Sequence, residues 1–403
     1  MSAFQAAPRA YRLWLPFFSL LLGGVTVNVA GKQPDILYFD IACIWIIYQV
    51  YWRGFVPSFS GWTLRIGVFC LFASLVSTLV NSSDINRGLV ATKVLAVGLL
   101  VYSVARRAQL GLLLPTLFGA CASIFLLQNY QSLRYGSYEG VAGMKDEIEI
   151  ALGRSNYVAS ILILLIPLAV AGACIQKGQK RWLFIVCAML IGAGLLATMS
   201  RGAMVALAGA TLLSSPFLLK AGVRMKHSVI AIGLLVISVA LVPVDLIETN
   251  LALFAYRIER PDFAREEIMR ASWEIFLENP LAGVGPGQLG EAINHQMVVP
   301  PYRFRYYNAH NLVLDALAEM GLPGLALLAM VGTVMWKAWA AVAGHPTAFN
   351  VAVWIALLAA LMHNMVEASF EGQQFQVVFW AVAAMAGAPC HATRGTPRLN
   401  GEA

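Results

Sequence analysis

Apolar stretches long enough to cross a lipid bilayer follow one another along almost the whole chain. Each crossing helix needs about 20 predominantly apolar residues. Twelve stretches approach that length: 13–30, 36–52, 63–80, 88–105, 109–128, 156–175, 182–199, 202–219, 228–245, 311–336, 347–366 and 373–390. Only 12% of the residues are charged, whereas a soluble domain has about one quarter. The sequence therefore predicts an all-α polytopic membrane protein with about twelve transmembrane helices.

The basic residues between these stretches predict the orientation of the chain. With the N-terminus in the cytoplasm, 15 of the 28 Lys and Arg residues fall in cytoplasmic connections. The short outer connections and their flanks hold Lys32, Arg87, Lys93 and Arg201. The positive-inside rule then places both termini in the cytoplasm and two long polar loops, 129–155 and 246–310, on the outer face. We expect a single membrane domain, residues 1–403, that carries these two loops.

Charge and cysteine content argue against two classes of function. The net charge of +7 arises mostly from short loops between spans, so it sets orientation and does not indicate a nucleic-acid partner. The six cysteines are scattered in or beside apolar stretches, without the spacing of a metal site or a redox pair. We expect them to be packing residues.

Arg201 is a single cation in the tight connection between the stretches 182–199 and 202–219. It falls at the start of the following helix, where the positive end of the helix dipole favours an anion. The alternative is an interfacial arginine that snorkels to the lipid headgroups.

The second long loop contains a predicted amphipathic helix, residues 263–277. Arg265 lies at the edge of its apolar side, so the helix can rest on the outer membrane surface and present this arginine to headgroups or to a lipid diphosphate. Arg270 is a further cation of the same helix, and a position facing water is its alternative. The glycine-rich segment 283–287 lacks the features of a phosphate loop and predicts a tight turn back to the membrane.

Polar groups continue into the tenth apolar stretch, beginning with His310. Asn308 or Asn311 can cap the helix that starts there, and Asp315 and Glu319 lie four residues apart on one face of it. A neutral imidazole can accept a proton from a hydroxyl, and a nearby carboxylate can hold its tautomer. The alternative is a structural histidine at the membrane interface. No ligand spacing for a metal accompanies it.

Two further polar groups are expected on the outer face. Arg154 and Asn156 lie at the start of the sixth apolar stretch. His363 and Glu367 lie four residues apart at the end of the eleventh, where a functional pair and a buried structural hydrogen bond are equally open. Because all the unusual polar features face one side, a single outward-facing site can collect them.

Three motifs occur in a fixed order on this face. They are Ser200-Arg201-Gly202-Ala203, the helix 263–277 leading to Asn279-Pro280-Leu281-Ala282-Gly283-Val284-Gly285, and His310-Asn311-Leu312 continuing to Glu319-Met320-Gly321-Leu322-Pro323-Gly324. Together they resemble the O-antigen ligase and polymerase superfamily of bacterial inner membranes. The resemblance covers residues 150–370.

This resemblance implies a metal-independent, inverting glycosyltransferase of the GT-C type, without a cofactor, whose site faces the periplasm. It implies transfer of O-antigen polysaccharide from undecaprenyl diphosphate to a sugar hydroxyl of the lipid A-core, among membrane lipids. Arg201 and Arg265 match the essential arginines of the family, which grip the diphosphate, and His310 matches its essential histidine, which orients or deprotonates the acceptor. Further candidates for substrate binding are Arg154, Asn156, Arg270, Asn311 and Glu319.

Other interpretations stay open. A polymerase or a protein O-oligosaccharyltransferase of the same superfamily shares these motifs, although the Arg-x10-Gly pattern of many polymerases is missing and the first outer loop is short. A secondary transporter or lipid flippase belongs to another class, which usually has inverted repeats and charges near the bilayer midplane. Polar residues gathered at one interface favour chemistry on a membrane-borne substrate.

Overall fold

A computed structural model describes residues 61–108, 111–133, 149–150, 153–221, 263–297 and 308–387. The predicted spans 13–30, 36–52 and 228–245 lie outside the described residues, as do most of the loop 129–155 and much of the loop 246–310. Helices make up most of the described part, as the sequence predicts.

The helices of the described residues are numbered here in chain order. They are α1 (Trp62–Asn81), α2 (Ile85–Ala108), α3 (Leu113–Leu133), α4 (Ser155–Ile175), α5 (Gly178–Ala197), α6 (Arg201–Leu213), α7 (Ser215–Lys220), α8 (Phe263–Glu278), α9 (Leu289–Gln296), α10 (Leu312–Met320), α11 (Leu325–Gly344), α12 (Ala348–His363) and α13 (Gln373–Ala383). Two 3-10 turns, Leu322–Gly324 and Ser369–Glu371, precede α11 and α13. The two-residue strands β1 (Glu149–Ile150) and β2 (Gly153–Arg154) pair antiparallel before α4.

Five segments of the described part are long and apolar enough to cross a membrane. They are Trp62–Asn81, Ile85–Arg106, Ser155–Ile175, Gly178–Ala197 and Leu322–Gly344. The shorter helices α6 and α12 are also apolar, and Ser214 separates α6 from α7 within the predicted span 202–219. The chain is therefore a helical membrane protein, which confirms the broader prediction.

The predicted tenth span, 311–336, is not one continuous helix, so the sequence-based prediction was wrong here. The helix α10 ends one residue before Gly321, whose φ of 65° lies in the left-handed region that glycine favours. A side chain at Gly321 would also collide, because its Cβ atom would lie 2.6 Å from the carbonyl oxygen of Pro280. Pro323 has no N–H to continue a helix. The nine-residue α10 is thus separate from the spanning helix α11.

The helix α4 occupies the centre of the bundle. It packs against α3, α5, α12 and α13, and the side chains of residues 161–165 are fully buried. A helix that is apolar all round suits this position, because every face meets another helix. Its first residues, Ser155 and Asn156, bring polar groups to one end of the bundle.

A second, smaller core forms where α8, α9 and α10 meet. The tight turn predicted at 283–287 packs along α10, because Val284 N donates to Ala318 O and Gly285 N donates to Glu319 O, each at 2.9 Å. Gly283 has a φ of 66°, and a Cβ atom there would lie 2.3 Å from the backbone of Glu319. The predicted turn is confirmed, and it fixes α8 and α9 against α10.

Candidate active site

The helix α10 begins at a cap that the sequence predicts. Asn311 Oδ1 accepts hydrogen bonds from Val313 N at 2.9 Å and from Leu314 N at 3.2 Å, which satisfies two amides of the first turn. Asn311 Nδ2 donates to Met365 O at 3.1 Å. The start of α10 is therefore attached to the segment that follows α12.

The residues just before this cap form a turn that presents His310. Ala309 N donates to Asp315 Oδ1 at 2.7 Å, and His310 N donates to Asn308 Oδ1 at 3.1 Å. The φ of His310 is 52°, which is uncommon for a residue with a side chain. The side chains of Asp315 and Asn308 thus fix the backbone conformation at His310.

Glu367 contacts side chains from three other parts of the chain. Its Oε1 lies 3.2 Å from His310 Nδ1. Its Oε2 accepts a hydrogen bond from Asn156 Nδ2 at 2.7 Å and lies 3.9 Å from Arg265 Nη2. Only 5% of Glu367 is exposed, and a buried carboxylate requires such partners. We call Asn156, Arg265, His310 and Glu367 the Glu367 cluster.

The charge of Glu367 follows from its neighbours. Burial raises the pKa of its carboxyl, but the hydrogen bond from His310 and the positive charges of His310, His363 and Arg265 outweigh burial, so the pKa lies below its ordinary value of 4.5. The carboxylate is therefore ionised at neutral pH. An ionised acceptor at Nδ1 of His310 favours the tautomer with its proton there, which leaves Nε2 to accept a proton.

The packing of α8 decides which of its arginines reaches the cluster. Ile268 is buried in the small core with α9 and α10, and Arg265, one turn earlier, donates from Nη1 to Val366 O at 3.4 Å. Arg270 Nη2 instead lies 3.4 Å from Glu266 Oε1, with the two side chains 69% and 74% exposed. The structure brings Arg265 into the cluster and leaves Arg270 outside it.

Arg201 is the first residue of α6, in agreement with the sequence analysis. The start of α6 approaches the end of α12, because a Cβ atom on Gly202 would lie 3.4 Å from Val366 Cγ2 and 3.5 Å from His363 Cδ2. The positive end of the α6 dipole therefore lies beside the segment that carries Glu367.

A buried network of hydroxyl groups supports this segment. Ser160, on α4, has its Oγ 2.9 Å from His363 Nδ1 and donates to Asn156 O at 2.9 Å. The same hydroxyl is hydrogen-bonded to that of Ser369. Since unpaired polar groups would be destabilising at these buried positions, the network holds the end of α12 and the following turn against the start of α4.

The other predicted residues have different surroundings. Arg154 is exposed and lies opposite Glu149 in the strand pairing before α4. Glu319 Oε1 accepts a hydrogen bond from Gly287 N at 2.8 Å, so this carboxylate stabilises the turn 283–287. Neither residue contributes to the Glu367 cluster.

Glu367 is not among the site residues predicted from the sequence, where its functional and structural roles are equally open. Its spacing from His363 indicates a pair, whereas in the structure His363 contacts Ser160 and Glu367 contacts His310. The sequence predicts that a carboxylate of α10 holds the imidazole. In the structure, Asp315 of this helix instead accepts a hydrogen bond from the backbone N–H of Ala309. Spacing along one helix was the only signal in the sequence.

The cluster provides an imidazole, an ionised carboxylate, an amide and a guanidinium within one set of contacts. These groups can orient a hydroxyl, accept its proton and bind an anion. In the part of the chain that the structure describes, no three His, Cys, Asp or Glu side chains are grouped so that they could hold a metal ion.

Comparison with protein families places part of the chain in a known family model. Residues 184–329 match the family model described as O-antigen ligase, and the match confirms the resemblance to the O-antigen ligase and polymerase superfamily. The matched segment contains Arg201, Arg265 and His310, whereas Asn156 and Glu367 lie outside it. No curated protein matches the chain at a significant level.

Proposed function

We propose that this chain, whose residues 184–329 match the O-antigen ligase family, is an O-antigen ligase of lipopolysaccharide biosynthesis. It transfers a polysaccharide from undecaprenyl diphosphate to a sugar hydroxyl of the lipid A-core. The observation that carries the proposal is the contact of Glu367 with both His310, at 3.2 Å, and Arg265, at 3.9 Å. His310, which can accept a proton, and Arg265, which can bind the diphosphate, thus contact the same carboxylate.

His310 acts on the acceptor. Because Glu367 keeps the proton of the imidazole on Nδ1, Nε2 accepts the hydroxyl proton while the acceptor oxygen bonds to the anomeric carbon of the donor. The buried carboxylate also fixes the orientation of the ring and stabilises the imidazolium that forms. Asn156 holds the second oxygen of that carboxylate, so it acts as a positioning residue.

Arg201 and Arg265 act on the donor. As the bond between the anomeric carbon and the diphosphate breaks, charge builds on the leaving oxygen, and guanidinium groups suit it because they donate paired hydrogen bonds. The side chain of Arg265 is 36% exposed, so a substrate oxygen can reach it. The start of α6 adds the positive end of a helix dipole.

Fixed cations at the leaving group support a metal-independent reaction without a cofactor. Attack by the acceptor on the face opposite the diphosphate inverts the anomeric configuration. The lengths of the apolar stretches and the distribution of Lys and Arg support twelve spans, cytoplasmic termini, and periplasmic positions for the site and for the loops 129–155 and 246–310. The proposal further includes a GT-C fold in one membrane domain of the bacterial inner membrane.

The location of the cluster at helix ends favours transfer over transport. The helix α4 starts at the cluster, and α12 ends beside it. The end of α1 also contacts the loop that follows α8, because Asn81 donates to Gly283 O at 2.6 Å. A transporter or flippase usually has its charged groups near the bilayer midplane. A polymerase or a protein O-oligosaccharyltransferase uses the same groups with another acceptor, so the acceptor distinguishes these candidates.

A transfer assay with purified protein tests the proposal. The protein in detergent receives undecaprenyl-diphosphate-linked O-antigen and lipopolysaccharide that lacks O-antigen, with EDTA present. We expect wild type to transfer polymer and His310→Ala to lose on the order of 10²-fold or more in rate, with unchanged thermal unfolding.

The products decide between the candidates. Extension of one lipid-linked unit by another, without transfer to lipopolysaccharide, would indicate a polymerase and not a ligase. Glycosylation of an added acceptor protein would indicate the oligosaccharyltransferase. If none of these reactions occurs with or without divalent cations, the glycosyltransferase proposal fails.

A further inference from the structure

A cavity of about 900 Å³ lies next to the Glu367 cluster without including it. Residues of α2, α9, α10 and α13 line it, together with residues of the turn 283–287 and Phe370 and Glu371. Four carboxylates are among them: Glu291, Asp315, Glu319 and Glu371. Arg87 and Glu291, 3.7 Å apart and both more than half exposed, lie where the cavity meets solvent. This volume is within the usual range for ligand sites.

Two hydrogen bonds join the cavity wall to the turn that presents His310. Asp315 Oδ1 accepts from Ala309 N at 2.7 Å, and Glu371 Oε2 accepts from Asn308 Nδ2 at 3.0 Å. The wall therefore includes two side chains that are bonded to the residues just before His310, whereas His310 and Glu367 themselves do not line the cavity. A ligand in the cavity would contact the two side chains that hold the turn before His310.

The lining favours a ligand with many hydroxyl groups. Carboxylates and side-chain amide oxygens accept hydrogen bonds, and Gln373 Oε1, which is buried in the lining, has no hydrogen-bond partner in the described part of the chain. A buried acceptor of this kind is destabilising unless a ligand donor or water reaches it. Apolar side chains, including Val90, Val94 and Leu312, can pack against the C–H faces of sugar rings.

We propose that this cavity binds the acceptor as a neutral, hydroxyl-rich oligosaccharide and delivers one of its hydroxyl groups to His310. The inference rests on the proposed function, because only a transferase needs an acceptor. The donor diphosphate stays with Arg201 and Arg265, neither of which lines the cavity.

Filling the cavity tests this arrangement. Ala91→Trp places an indole in the lining of α2, whereas Leu89→Trp adds the same group two residues away, at a position that is 42% exposed and not part of the lining. We expect Ala91→Trp to raise KM for the acceptor at least about ten-fold with KM for the donor unchanged. Leu89→Trp should change neither KM.

Removing the unpaired acceptor provides a second test with little change in volume. We expect Gln373→Leu to raise KM for the acceptor about five-fold, the size of one lost hydrogen bond. If Ala91→Trp does not fold, Gln373→Leu decides the question alone.

Three results separate the outcomes. A rise in KM for the donor with unchanged KM for the acceptor would overturn the inference and assign the cavity to the donor lipid. Unchanged values of both constants in folded variants would overturn it as well. Absence of transfer by wild type would instead contradict the proposed function, on which the inference rests.

Discussion

Glu367 links the two halves of the proposed chemistry through a single side chain. One of its oxygens contacts the imidazole of His310, and the other contacts Asn156 and Arg265. The carboxylate is almost fully buried, so its charge depends on these neighbours and not on solvent. Loss of that charge should therefore affect both the stability of the site and the orientation of the imidazole of His310.

Protonation of Glu367 should destabilise the fold in acid. The pKa of this carboxyl lies below its ordinary value of 4.5 in the folded chain, so its stabilising contribution is complete above about pH 4.5 and is lost as the pH falls below that value through the folded pKa. We expect Glu367→Gln to flatten the fall in melting temperature below pH 4.5. Glu266→Gln, at a 74% exposed position, should leave the wild-type profile unchanged. An unaltered acid profile in Glu367→Gln would contradict the ionised state.

The two arginines of α8 should differ in their effect on catalysis. Arg265 contacts Glu367 and Val366 O, whereas Arg270 pairs with Glu266 on an exposed face. We expect Arg265→Ala to lower kcat on the order of 10²-fold, because a cation at the leaving group is lost. Arg270→Ala should stay within about two-fold of wild type, as is usual for an exposed ion pair. Equal losses in the two variants would show that α8 is oriented differently towards the substrate.

Helices and caps were the elements that the sequence could predict well. Apolar stretches of the required length gave the positions of α1, α2, α4 and α5, and an asparagine at the end of a polar loop gave the start of α10. The break between α10 and α11 was missed because it depends on close approach of another segment. A side chain at position 321 would collide with the backbone of residues 280–282, so glycine is needed there. No local sequence pattern reveals that contact.

The cap of α10 should matter for activity beyond its contribution to stability. Asn311→Ala removes two hydrogen bonds to the first turn and one to Met365 O, so we expect a loss of about 1 kcal/mol together with a lower kcat. Thr347→Ala removes the comparable cap of α12, where the side chain accepts from Asn350 N. It should lower the melting temperature with little effect on kcat. Equal kcat in the two variants would make the cap of α10 purely structural.

In the part of the chain that the structure describes, the Glu367 cluster lies at one end of an apolar bundle. The start of α4, the end of α12 and the turn before α10 meet there. The site residues come from segments 57 and 211 residues apart in the sequence. The sequence could predict that these groups share a side of the membrane, because successive spans cross it in opposite directions. The specific contact between Glu367 and His310 depends on tertiary packing.

Labelling in intact cells tests the predicted orientation. Glu291 and Lys180 are both exposed, and the positive-inside rule predicts that Glu291 lies in the periplasm and Lys180 in the cytoplasm. We expect a membrane-impermeant maleimide to label Glu291→Cys in intact cells and Lys180→Cys only after lysis, against the background of the six native cysteines. Labelling of Lys180→Cys in intact cells would show that the topology is the reverse of the predicted one.

A double-mutant cycle on kcat for polymer transfer, with His310→Ala, Glu367→Gln and the combined variant, examines the Glu367 cluster most directly. Because Glu367 acts on the acceptor through His310, we expect Glu367→Gln to lower kcat about ten-fold or more, His310→Ala to lower it further, and the combined variant to be no slower than His310→Ala. Losses that multiply in the combined variant, or wild-type kcat in Glu367→Gln, would contradict a site organised around this pair.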